Sequence, residues 1–163
     1  SQKNVNICVK HGLSVVQGDA DKDLISYPSK SFDFVILSQT LQATRSPEKV
    51  LNELTRISKR AIVSFPNFGS WLVRLKLLFK GVMPQLKSLP HTWYTTPNIH
   101  LCTIKDFKQL CNKNSIKIEQ SFYLDKNGKK ITNFVKKGRH CNSIRSLKML
   151  YVFQRLFGEP LDS

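Results

Sequence analysis

Apolar positions fall into two rhythms along this chain. Residues 34–37 and 61–65 are short apolar runs, the second broken only by Ser64, the pattern of strands covered on both faces. Between them Val50, Leu51, Leu54 and Ile57 recur at helical spacing, behind a Ser46 suited to cap and a Pro47 suited to the first turn. Two parallel strands joined by a crossover helix are therefore predicted over residues 32–67. Upstream, residues 4–10 read as the end of a helix stopped by His11-Gly12, and residues 13–17 as a strand. Residues 18–31 read as a polar loop with a helical turn near 21–25. Downstream, Trp71, Leu72, Leu75, Leu78 and Phe79 share one helical face, Arg74, Lys76 and Lys80 point away, and Gly81 ends the helix. Residues 83–98 are rich in Pro and aromatics, which predicts an ordered, irregular lid over the sheet edge. Thr103 and Asp106 have capping-box spacing, with Ile104, Phe107, Leu110 and Cys111 facing inward, and residues 116–124 alternate as a strand should. No internal repeat is visible.

This organisation predicts where chemistry gathers. In open parallel sheets ligands bind beyond the carboxyl ends of the strands. Here those ends carry Ser38, Gln39, Thr40 and Gln42 after one strand and Asn67 after the other. The earlier turn holds Gly18 and Asp19; a carboxylate there can accept from an exocyclic amine, and glycine lets backbone come close. A plain turn accounts for the same pair.

The chain has 163 residues, 40% of them apolar, enough for one domain with a real core. No run approaches the roughly 18 apolar residues of a membrane span and no signal peptide opens the sequence, so a soluble, cytoplasmic protein is expected. Cys8, Cys102, Cys111 and Cys141 are widely spaced, which favours free thiols over a zinc site or disulfide framework, and no metal site is expected. The net charge of +15 is uneven: residues 54–105 and 126–155 contain no acidic side chain. Such a field attracts anionic partners without choosing among nucleic acid, an acidic protein face and a phosphorylated metabolite. Nucleic acid is the weaker choice, because no RNA-binding signature with interleaved stacking aromatics occurs.

Three strings carry a family resemblance: LSQTLQATRSPEKVL, RAIVSFPNFGSWLVRLKLLFKGVMP and LPHTWYTTPNIHLCTIKDF. Over about residues 4–123 the chain resembles the MetW family of methionine biosynthesis, whose fold is that of class I S-adenosylmethionine-dependent methyltransferases. The resemblance implies an α/β, Rossmann-like sheet with flanking helices, a possible adenosylmethionine site and a role beside homoserine O-acyltransferase. Within it, Asp19 and Ala20 match the adenine-contacting turn, while Ser38 and Gln39 match the loop at the methionine end of the cofactor. Asn67, His91, Trp93, Tyr94, Asn98 and His100 fall in strings that should roof the pocket.

From these assignments Gly18, Asp19, Ala20, Ser38, Gln39 and Thr40 are the candidate cofactor contacts. Gln42, Asn67, Trp93 and Asn98 are candidate contacts for a small-molecule substrate. His91, Tyr94 and His100 are the candidate bases or orienting groups for methyl transfer. Two features of the family pattern are missing: a glycine-rich loop after a first strand and an acidic ribose-binding residue after a second. The sequence thus reads as residues 1–124 of an N-terminally incomplete domain lacking the first one or two strands, about 35–45 residues by the length of a βαβ unit. Residues 13–17 and 32–37 would then border a gap of about 10 Å. Residues 125–163 read as a basic segment whose order the sequence leaves open; Pro160 would interrupt the closing antiparallel strand of the family. Three functions stay open: a methyltransferase, a non-catalytic accessory subunit of the acyltransferase, and a basic nucleic-acid-binding domain.

Overall fold

A crossover helix must bury its apolar stripe on the sheet that its two strands build, and this requirement sets the architecture. The computed structural model describes residues 2–86, 89–124 and 148–155. Its elements are α1 (Gln2–Lys10), β1 (Phe32–Ser38), α2 (Pro47–Ile57), β2 (Ser58–Pro66), α3 (Trp71–Lys80), α4 (Ile104–Lys113), β3 (Ile116–Leu124) and β4 (Lys148–Arg155), with short 3-10 turns at Asp23–Ser26 and Leu41–Ala43. The sheet order is β1-β2-β4-β3.

β1 and β2 are parallel, with Phe32 opposite Ser58 and Ser38 opposite Ser64. Between them α2 buries Val50, Leu51, Leu54 and Ile57, the four positions its periodicity selects, each worth about 1.5–3 kcal/mol of apolar transfer. Val50, Leu51 and Leu54 join Ala61, Val63 and Phe65 of β2 and Tyr151 and Phe153 of β4 in one core. α4 closes the same core with Ile104, Phe107 and Cys111. The ring of Phe107 lies 4.8 Å from Phe65, 4.7 Å from Tyr151 and 6.2 Å from Phe153, so it ties β2, α4 and β4 together. Thr103 and Asp106 form the predicted capping box at the start of α4.

Three expectations are corrected. Residues 13–17 form no strand, because no described strand offers them a ladder. β1 is not covered on both faces: Val35 and Leu37 point to the core, but Phe34 and Ile36 on the other face stay 55% and 68% exposed. The closing antiparallel strand is present after all: β4 pairs with both β2 and β3 and ends before Pro160. Its residues belong to the basic stretch that was read as beginning at 125, while Cys141 and most of that stretch lie outside the described residues.

Other boundaries match the sequence reading. α1 ends at Lys10, and Gly12 just beyond it has a φ of +71°, the left-handed value that glycine accommodates. β3 spans Ile116–Leu124 as predicted. Residues 83–86 and 89–98 contain no helix or strand beyond a single bridge between Leu86 and Leu89.

Candidate cofactor and substrate site

The rim of the site begins where β1 runs out. Ser38 sits opposite Ser64, their hydroxyls 3.4 Å apart, and Gln39 then turns into the left-handed region at φ +50°. A non-glycine residue holds that conformation only where its surroundings fix it. Here the Gln39 N–H donates to both the carbonyl (2.9 Å) and the hydroxyl (3.2 Å) of Ser64, and Thr40 Oγ1 donates to the Ser38 carbonyl at 2.8 Å.

Gln42 follows in the Leu41–Ala43 turn. Its Nε2 donates to the Gln39 carbonyl at 3.0 Å, which fixes the amide orientation, and its Oε1 is buried with no hydrogen-bond partner. An orphaned buried acceptor is costly unless something brings it a donor. The backbone carbonyl of Gln42 accepts from Ile99 N (2.8 Å) and His100 N (3.0 Å), pinning the end of the roof segment onto the strand-end rim.

The Gly18–Asp23 turn is knitted by its own carboxylates. Asp23 Oδ2 accepts from Asp19 N at 2.5 Å, and Asp19 Oδ1 accepts from Asp21 N at 3.0 Å. A Cβ on Gly18 would lie 2.7 Å from Asp23 Oδ2. The close approach that glycine permits is therefore made by Asp23. Asp21 accepts from the backbone N–H groups of Arg45 (2.8 Å) and Ser46 (3.0 Å). These two bonds, helped by the charges of Arg45 and His100, hold its carboxyl below the ordinary aspartate range. Asp21, not the hydroxyl of Ser46, is thus the side chain that serves the start of α2.

These bonds tie Asp21 to residues 45–46 and residues 99–100 to Gln42. The other candidates lie differently. Asn67 is buried and its Oδ1 accepts from Gly69 N at 2.9 Å, shaping the turn out of β2 beside Thr103. His91, Trp93 and Tyr94 are exposed, with Trp93 edge-on to Tyr94 at 5.5 Å. Asn98 N donates to Thr96 Oγ1 at 3.1 Å in a turn of its own. Sequence reasoning missed Asp21, Asp23 and Ser64. Only Ser64 left a signal, as the register partner of Ser38 once the parallel pairing is drawn. Among the described residues no cluster of His, Cys, Asp or Glu could hold a metal ion, and no helix is long and apolar enough to cross a membrane.

Solved structures with this fold are methyltransferase-like. A SAM-dependent methyltransferase of Thermotoga maritima, a possible histamine N-methyltransferase, superposes at a TM-score of 0.60 with 20% identity, over 96% of this chain and 70% of its own. One from Archaeoglobus fulgidus gives 0.58 with 13% identity, over 95% and 73%. The [4+2]-cyclase SpnF gives 0.58 with 12% identity, over 94% and 61%. A curated relative, the bifunctional methionine biosynthesis protein MetXA/MetW of Rhodopirellula baltica, is 31% identical over 126 residues, 77% of this chain. The chain spans only 20% of that relative's length. The family model described as methionine biosynthesis protein MetW matches residues 1–153, so the chain belongs to the MetW family and carries the class I SAM-dependent methyltransferase fold.

Proposed function

We propose that this domain binds S-adenosylmethionine against the rim of residues 18–21 and 38–42, and that it works in methionine biosynthesis as the partner of a homoserine O-acyltransferase. The observation that carries the cofactor half is Gln42 Oε1, buried and unpaired just past the end of β1, with Asp21 of the earlier turn bonded to residues 45–46 close by in sequence. The residues present fit part of the cofactor. Asp19 and Ala20 would flank the adenine, Ser38, Gln39 and Thr40 would border the amino-acid end, and Gln42 Oε1 would accept from a ligand N–H or O–H. When bound, the cofactor supplies an electrophilic methyl group on its sulfonium.

The fold alone does not establish methyl transfer, since a cyclase shares it. What favours the partner role is the R. baltica relative, in which the matching segment belongs to a bifunctional MetXA/MetW polypeptide. A neighbour held in one chain gains a high effective concentration, and separate chains need an interface to replace it.

The test is calorimetric titration of adenosylmethionine into the full-length protein, alone and with the acyltransferase. Saturable binding that weakens about tenfold or more in Gln42→Leu, through loss of a hydrogen bond to a buried acceptor, supports the cofactor site. No heat at millimolar ligand, with or without the acyltransferase, removes it.

A further inference from the structure

α3 carries more apolar surface outward than inward. Val73 is 1% exposed and is the helix's single buried residue, whereas Leu78 and Phe79 are 75% and 78% exposed. Trp71 and Leu72 are exposed on the same stripe and Leu75 lies half-buried between them. At 100° per residue these five positions fall within about a third of the helix circumference, opposite Val73. Isolated exposed leucines are ordinary on protein surfaces, but a contiguous stripe of this size containing Trp and Phe is not. Arg74 borders the stripe on one side and Lys76 on the other. No acidic residue occurs between Glu53 and Asp106, so nothing nearby in sequence offsets that charge.

We propose that this stripe is the docking surface for the homoserine O-acyltransferase, which meets it with an apolar hollow rimmed by Asp and Glu; this rests on the partner role proposed above. Charge complementarity sets the occupant's chemistry. The basic flanks steer an acidic face into register, and the bulky side chains at the centre supply the desolvated anchors from which most binding energy comes. A protein hollow suits the stripe better than a bilayer does. The ten-residue helix is about 15 Å long and is fixed to the domain through Val73, which limits how much of it can sink into lipid.

The experiment mixes the full-length protein with the acyltransferase and follows complex formation by sedimentation velocity at two salt concentrations. Two surface variants are compared, Leu78→Asp/Phe79→Asp and Arg74→Glu/Lys76→Glu, after thermal melts have verified that both are folded. The expected result is a wild-type complex weakened about 100-fold by the first pair, as for two central anchors, and about tenfold by the second, with loss of salt dependence. Undiminished binding by both variants overturns the surface and leaves the partner role standing. Absence of a wild-type complex overturns both. Wild-type sedimentation with phosphatidylserine vesicles, or a wild-type dimer, abolished by Leu78→Asp/Phe79→Asp while acyltransferase binding persists, assigns the stripe to lipid or to a second copy and overturns the proposal.

Discussion

The packing of α3 puts Val73 inside and its apolar stripe outside, and paired alanine substitutions test that orientation. Phe79 keeps 78% of its surface in contact with solvent. A fully buried Phe covers about 200 Å². Roughly 40 Å² of Phe79 is therefore removed from water, worth about 1 kcal/mol at ~25 cal/mol per Å². Alanine's higher helix propensity returns about half of that. Phe79→Ala should then cost about 0.5 kcal/mol. Val73→Ala removes two fully buried methyl groups at about 0.8 kcal/mol each, and the cavity left behind brings the cost to about 2 kcal/mol. In a protein of this length each kcal/mol moves the melting temperature by about 2–4 °C. Urea unfolding followed by circular dichroism, with thermal melts alongside, should place Phe79→Ala within about 2 °C of wild type and Val73→Ala about 4–8 °C below it. If the stripe of Trp71, Leu75 and Phe79 were the packed face, Phe79→Ala would instead cost about 3–5 kcal/mol. That larger loss, with Val73→Ala neutral, would refute both the orientation of α3 and the docking surface built on it.

Three further outcomes are expected. Thr103→Ala removes the acceptor that Asp106 N uses in the capping box, and should lower stability by about 1 kcal/mol in urea titration; no change would mean the box is ornamental. Asp21 has a carboxyl pKa lowered by folding, so its contribution is present above the ordinary aspartate range and is lost as pH falls through the lowered value. The gap in melting temperature between wild type and Asp21→Asn should accordingly narrow under acid, and a gap that stays constant down to pH 2 would contradict the carboxylate's role at residues 45–46. Burial pushes the thiols of Cys102 and Cys111 up to about 12. Both should resist iodoacetamide at pH 8 until denaturant is added, as read by peptide mass spectrometry.

What the sequence made legible was local. The crossover unit followed from Val50, Leu51, Leu54 and Ile57, because a helix on a sheet has one solution for its stripe, and the α4 start followed from Thr103 and Asp106, because a capping box needs only four residues. What stayed hidden depended on distant neighbours. Residues 13–17 have strand composition, but a strand exists only with a partner. Phe34 and Ile36 look like core because an unbroken apolar run cannot say which of its two faces is covered. For a similar reason the α3 stripe was readable as an apolar face, but periodicity does not say what lies against it. At the site, the strand-end positions 38–42 were readable from the rule for open sheets. The roles of Asp21 and Asp23 were not, since their carboxylates act on backbone N–H groups that no side-chain pattern reveals. β4 was obscured by the basic residues around it, although Tyr151 and Phe153 are buried in the core.

The central claim is that the turn at 18–21 and the strand end at 38–42 serve one ligand. Amide chemical shifts of the isotope-labelled full-length protein, followed during titration with S-adenosylhomocysteine, test it most directly. Asp19, Ala20, Ser38, Gln39 and Gln42 should shift together along one saturation curve; shifts confined to a single rim, or absent from both at millimolar ligand, would contradict the account.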